Sequence, residues 1–159
     1  MCGATRFSWH DTADLLLTGA TPTALTTGQY ESRYWAGMPV LPVRDATGAL
    51  ALWRWGNRNE VSGIPATGWA QKESIDAGKW HHHHPQFVQI PVTAGYEQGV
   101  WFGIDHGIHG IIVAERVFML TVAADTTYQN MTHHPRMPWL INQTIIVPLA
   151  GSRQQLGLW

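Results

Sequence analysis

The sequence predicts a β-rich α+β fold with few short helices, and three observations carry that prediction. Short apolar runs rich in Val, Ile, Trp and Phe recur at close spacing. Clusters of Gly, Pro, Asp and Asn punctuate them. A single segment near the N-terminus carries the start and stop signals of a helix. With 159 residues, the chain fits one domain spanning 1–159, long enough to bury roughly 70% of its unfolded surface.

Taken in order, residues 11–17 read as a short helix with Asp11 or Thr12 as N-cap and Gly19 as terminator. Residues 39–43 read as an edge strand, because Pro39 and Pro42 cannot donate to a ladder. A turn at 44–48, built on Asp45 and Gly48, leads into a returning strand at 49–55 with Leu50, Leu52 and Arg54 on one face. Residues 56–68 form a long polar loop holding Asn57, Arg58, Asn59 and Pro65. A short strand follows at 87–91. Segments 100–104 and 110–113 flank 105–109 as a hairpin. The apolar run 117–123 is a strand, and 143–149 is the last one.

Composition narrows the function. The charged fraction of 13% is about half the usual share, and the net charge is −1 with nine histidines. Any nucleic-acid binding has to come from a local patch, with aromatic stacking sharing the work. Most of the nine tryptophans belong to core or rim packing. One cysteine excludes an internal disulfide framework and fits a reducing compartment. No stretch approaches the roughly 18 apolar residues of a membrane span, and the start lacks the regions of a signal peptide. A cytoplasmic protein with no membrane partner is expected. The histidine run 81–84 gives no metal site: adjacent histidines in an extended segment point to opposite faces, and zinc ligands are spaced more widely. His106 and His109 are equally weak ligands, so no metal or cofactor is expected.

The single cysteine is Cys2, between Met1 and Gly3. Removal of Met1 would leave an α-amine and a thiol on one residue. Such a 1,2-aminothiol condenses with an aldehyde to an imine, after which the sulfur adds to the imine carbon and closes a thiazolidine. An α-amine titrating at about 7.7–8.0 keeps a useful unprotonated fraction at neutral pH, and the thiolate is the reactive form of the sulfur.

Several motifs extend this chemistry. Met1-Cys2-Gly3 followed by Arg6-Phe7, the strand end Trp53-Arg54-Trp55-Gly56, and the segment Pro91-Val92-Thr93-Ala94-Gly95-Tyr96-Glu97-Gln98 occur in that order. They are followed by Val117-Phe118-Met119-Leu120-Thr121-Val122-Ala123-Ala124-Asp125 and then His134-Pro135-Arg136-Met137-Pro138. Together these blocks resemble the SRAP (SOS-response-associated peptidase-like) family over most of the chain, in a compact, divergent form suited to a phage or mobile element. The resemblance implies an SRAP-like fold and a protein that binds single-stranded DNA at abasic sites. There it would form a covalent thiazolidine between Cys2 and the open-chain sugar aldehyde. It makes Glu97 and His134 the partners of Cys2. Glu97 would move protons at the amine and the departing hydroxyl. His134 would protonate the sugar ring oxygen, a role that suits a side chain titrating near neutrality.

DNA contacts are expected from Arg6, Arg54, Arg58 and Arg136, since a guanidinium grips phosphate bidentately, with surface salt bridges as their alternative role. Trp55 or Trp69 would stack a base or wedge at the lesion, with core packing as the alternative. The segment Trp69-Ala70-Gln71-Lys72-Glu73-Ser74 stands where the family has Asn-Ala-Arg-Ser-Glu-Thr. Trp69 therefore replaces an active-site amide and Gln71 a DNA-contacting arginine, and Asn57 or Asn59 is the nearest substitute for the amide. Two rival functions follow: a non-crosslinking DNA- or protein-binding module, and a cysteine peptidase or self-processing protein.

Overall fold

The computed structural model describes residues 1–150; residues 151–159 of the expected domain lie outside the described residues. In chain order the elements are β1 (Ala4–Ser8), α1 (Thr12–Leu17), β2 (Thr23–Thr26), β3 (Gln29–Arg33), β4 (Val40–Arg44), β5 (Leu50–Trp55), β6 (Trp69–Gln71) and α2 (Lys72–Asp76). A 3₁₀ turn at His81–His83 precedes β7 (Gln86–Ile90), β8 (Ala94–Glu97), β9 (Val100–Gly103), β10 (Ile108–Val113), β11 (Arg116–Ala123), α3 (Thr126–Thr132) and β12 (Arg136–Pro138). This is a β-rich α+β architecture. No helix among the described residues is long and apolar enough to cross a membrane.

The strands form two sheets. One has the order β2-β3-β1-β8-β9. In the other, β10-β7-β4-β5-β11 closes into a small barrel, because β10 also pairs with β11. β6 and β12 extend the barrel along the far half of β11, at Met119–Thr121 and Thr121–Ala123 respectively. One large apolar cluster spans both sheets through Phe7, Leu41, Trp55, Ile90, Phe102 and Met119. A smaller cluster gathers Trp80, Phe118 and Leu120.

Local chemistry explains several elements. The Asp11 side chain accepts from the Ala13 N–H and starts α1. Asp45 accepts from the backbone N–H groups of Thr47 and Ala49 and ties the β4–β5 turn.

Three expectations are corrected. Segment 39–43 is not at an edge: β4 lies between β5 and β7. It meets β7 at one register pair, Arg44↔Gln89, which leaves Pro42 free of any need to donate on that side. The expected 100–113 hairpin does not exist, because β9 pairs with β8 in one sheet while β10 pairs with β7 and β11 in the other. The tight turns sit instead at Gln98-Gly99 and Ala114-Glu115, all four residues with positive φ as a type I′ turn requires. Finally, 143–149 is irregular and touches β9 through an isolated bridge, Phe102↔Pro148, where proline has no N–H to continue a ladder.

Candidate active site

Directly opposed residues in a sheet share a face. The register of the first sheet therefore puts Ser32, Thr5, Gly95 and Phe102 in one inward row. Glu97, two residues beyond Gly95, points the same way and is only 3% exposed. Gly95 is required here. A Cβ on it would lie 2.9 Å from Cys2 Sγ and 2.7 Å from Phe102 Cζ.

The N-terminus is threaded over this face and pinned at three places. Gly3 donates to the Tyr96 carbonyl at 3.0 Å, Tyr34 N–H donates to the Gly3 carbonyl at 3.0 Å, and Trp69 Nε1 donates to the Cys2 carbonyl at 3.1 Å. These contacts deliver the terminal amine of Met1 to Glu97 Oε1 at 2.9 Å and to His134 Nε2 at 2.7 Å. Nε2 is also 3.9 Å from Glu97 Oε1. Residues 1, 97 and 134 thus converge on one point.

His134 reaches that point because α3 ends abruptly. Asp125 caps the helix by accepting from Tyr128 N–H at 2.7 Å. His133 closes it in a left-handed conformation, φ +58°. The chain then turns, and His134, not the exposed His133, faces the amine. The His134 Nδ1 lies 3.0 Å from the Arg136 carbonyl oxygen and 3.1 Å from its N–H. Nδ1 accepts from the Arg136 N–H in one tautomer; in the other it donates to the Arg136 carbonyl, and Nε2 is then an acceptor for the ammonium. The pair can then pass a proton from amine to imidazole, with Glu97 beside the imidazolium that forms.

Glu97 Oε2 is buried and has no hydrogen-bond partner among the described residues, so this carboxylate keeps unused acceptor capacity. The Cys2 thiol is 1% exposed and lies 3.3 Å from the Ala4 carbonyl oxygen. Burial pushes its pKa up to about 12; the Glu97 charge also raises it, and the terminal amine opposes the rise. With Met1 in place the sulfur is therefore a thiol, not a nucleophile.

Beside the amine opens a cavity of about 380 Å³ lined by Met1, Arg33, Trp35, Tyr96, Glu97 and Gln98, among others. Trp35, 73% exposed, stands edge-on to Tyr34 with ring centroids 4.6 Å apart. Arg33 lies over the Tyr96 ring at 5.7 Å. Neither Trp35 nor Arg33 was expected from the sequence. An exposed tryptophan in the turn-forming run Tyr34-Trp35-Ala36-Gly37 is the signal that could have found the first.

The structure gives the other expected contacts these surroundings. Trp55 is fully buried, with Nε1 on the Gly68 carbonyl, and cannot stack a base. Trp69 is packed among Tyr34, Trp35 and Trp55 and holds Cys2 in place instead. Arg6 lies on the opposite face of its sheet from Glu97, bonded to Glu31 at 3.3 Å and stacked 3.9 Å above Trp101. Arg54 pairs with Glu60 at 2.5 Å. Arg58 donates to the Gly37 carbonyl and lies 4.0 Å from the same Glu60. Arg136 is held by the Thr121 carbonyl and hydroxyl and by Glu73 at 2.8 Å, which fixes β12 and with it His134. Gln71 is exposed at the start of α2. Asn57 does not stand in for the missing amide. Its Nδ2 is bonded to the Val61, Ile64 and Pro65 carbonyls and its Oδ1 to Val61 N–H, all within its own loop. Asn59 is exposed, with φ +69°.

The histidine run is coiled into the 3₁₀ turn and is not extended, because Trp80 packs on Phe118 and His83. Among the described residues, no group of three or more His, Cys, Asp or Glu side chains is placed to hold a metal ion. Scans of protein-family models, of curated proteins and of solved structures each returned no match for this chain.

Proposed function

We propose that this chain, once Met1 is removed, captures the sugar aldehyde of an abasic site in single-stranded DNA as a thiazolidine on Cys2, in the manner of SRAP proteins. The observation that carries this reading is the terminal amine held jointly by a buried carboxylate and an imidazole, 2.9 and 2.7 Å away, with the lone thiol on the next residue. The Cys2 carbonyl and Gly3 stay anchored by Trp69, Tyr34 and Tyr96. Loss of Met1 therefore leaves the new amine within about one residue length, ~3.8 Å, of the old one.

The steps balance. His134 takes a proton from the ammonium, and the free amine adds to the aldehyde carbon. The hydroxyl of the resulting carbinolamine leaves as water on accepting a proton, giving the imine. The Cys2 S–H proton then passes to the imine nitrogen as the C–S bond forms. Glu97, with one unoccupied oxygen, is placed to relay these protons. Trp35 at the adjoining cavity suits a nucleobase flanking the lesion, while Arg33 beside it is paired with Glu31 at 2.7 Å.

The test is incubation with a single-stranded oligonucleotide carrying one abasic site, followed by a denaturing gel. A shifted band that disappears in Cys2→Ala supports the reading. Reversible binding with no shifted band favours the non-crosslinking module, for which Trp69 at the amide position speaks. Cys2-dependent proteolysis of a generic substrate would favour the peptidase.

A further inference from the structure

The peptide unit joining Cys2 to Gly3 is gripped at both of its ends. Its N–H, on Gly3, donates to the Tyr96 carbonyl of β8 at 3.0 Å. Its carbonyl, on Cys2, accepts from the Trp69 indole N–H at 3.1 Å. The first contact lies in the sheet that carries Glu97, while the second comes from β6 of the other sheet, 67 residues further along the chain. Gly3 has no side chain to restrain its dihedrals, so a single grip would let the Cys2 carbonyl swing. The contacts of the thiol, to the Ala4 carbonyl and the Tyr96 backbone, act on the side chain instead. Trp69 is suited to hold the carbonyl. It is 8% exposed, its strand pairs with β11 at Met119, and its ring centroid lies 4.7 Å from Tyr34 and 5.9 Å from Trp55. An indole has one donor and no acceptor, and here that donor is used on Cys2.

A peptide plane held at both ends fixes the Cys2 α-carbon, which lies in that plane. Once Met1 is gone, the amine on that carbon keeps only the rotation about the Cα–C bond. We propose that Trp69 is the positioning residue of the N-terminal aminothiol, its indole N–H fixing the Cys2 carbonyl so that the freed amine meets Glu97 and His134. The proposal rests on the reading above that Met1-free Cys2 is the residue that reacts. In that reaction the amine nitrogen and the sulfur each give up one proton and bond to the aldehyde carbon, whose oxygen leaves with both protons as water. Trp69 donates to the same carbonyl before and after. Without its N–H the peptide unit turns on the Tyr96 bond, and the amine is spread over orientations that miss its two partners.

The test uses glycolaldehyde in place of DNA. Full-length chain with Met1 removed, verified by intact mass, is incubated with it, and the gain of one aldehyde less one water is followed over time. Trp69→Phe keeps an aromatic ring and loses the N–H. Trp55→Phe is the control: it loses the same atoms from the same aromatic cluster, but its N–H ends on the Gly68 carbonyl. Capture is expected to be about tenfold slower in Trp69→Phe, a modest share of what alignment supplies, and within about twofold of wild type in Trp55→Phe. Equal slowing in both variants, or none in Trp69→Phe, would overturn the proposal. A spectroscopic reading on wild type keeps the test open should Trp69→Phe not fold. The Trp69 indole N–H resonance should shift as the thiazolidine forms while that of Trp55 stays, and a stationary Trp69 resonance would overturn the proposal. An abasic oligonucleotide assay run in parallel separates the two ideas. Slower aldehyde capture in Trp69→Phe without any wild-type DNA crosslink defeats the proposed function and leaves Trp69 in its role. Wild-type crosslinking with Trp69→Phe equal to wild type in both reactions does the reverse.

Discussion

Glu97 and Glu60 are both carboxylates beside cationic groups, and they differ in what remains unoccupied. Glu60 Oε1 lies 2.5 Å from Arg54, 3.8 Å from Arg116 and 4.0 Å from Arg58, while Oε2 accepts the Arg58 N–H. Burial raises its pKa, but the backbone N–H donors and the cations Arg54 and Arg116 outweigh that and hold it below the usual range. At 34% exposure it is a loop fastener. Glu97 is 3% exposed and, among the described residues, meets a single amine and an imidazole, with Oε2 unpaired. A saturated carboxylate builds structure. A buried one with spare acceptor capacity is poised for chemistry.

The sharpest way to break this comparison is to neutralise each carboxylate. Glu97→Gln is expected to slow crosslinking at least about 100-fold, the scale of a lost proton relay, followed as band intensity against time. Glu60→Gln should change that rate less than about threefold and instead lower unfolding stability by about 1 kcal/mol, a partly solvated pair being worth no more. Equal losses of rate would erase the distinction.

The two histidines at the end of α3 sharpen it further. His134→Ala should slow crosslinking roughly 30- to 100-fold. His133→Gly should leave the rate within about twofold and raise stability by about 0.5–1 kcal/mol, because φ +58° suits glycine. Rate and urea midpoint measured on both variants decide this.

A smaller effect concerns the unprocessed chain. The folded thiol titrates at about 12 against 9.0 for a free one. The unfolded state therefore releases its proton first, and stability present below pH 9 declines as pH rises towards 12. At pH 10.5 the loss attributable to Cys2 is about 2 kcal/mol. Denaturant unfolding of the Met1-containing chain should show it, and Cys2→Ala should not. Smallest is Trp35→Ala, expected to weaken single-stranded DNA binding about five- to tenfold by fluorescence anisotropy, in keeping with one stacked base. A Trp35→Ala variant that binds as tightly as wild type would move the DNA path away from the cavity.

Local chemistry was legible where it was self-contained. Asp11 at a helix start, Asp45 in a turn and the apolar run of β11 each carry their own signal. The hairpin at 100–113 misled because its true turn, Ala114-Glu115, adopts positive φ without the Gly or Asn that usually marks one. Arg54 and Arg58 looked available because a sequence does not show that Glu60 folds back onto both. For the site, Cys2 stood out from its position, and Glu97 and His134 from motif resemblance. Trp35 was silent, since an uncovered ring is a property of the packed chain, not of residue order.

The central claim is a covalent bond of defined composition at Cys2. Intact mass spectrometry of the Met1-free chain after incubation with an abasic oligonucleotide measures it directly. The account predicts a species equal to protein plus oligonucleotide minus one water, stable without borohydride and lost in Cys2→Ala. An unmodified protein mass, or an adduct of the same yield in Cys2→Ala, would contradict it.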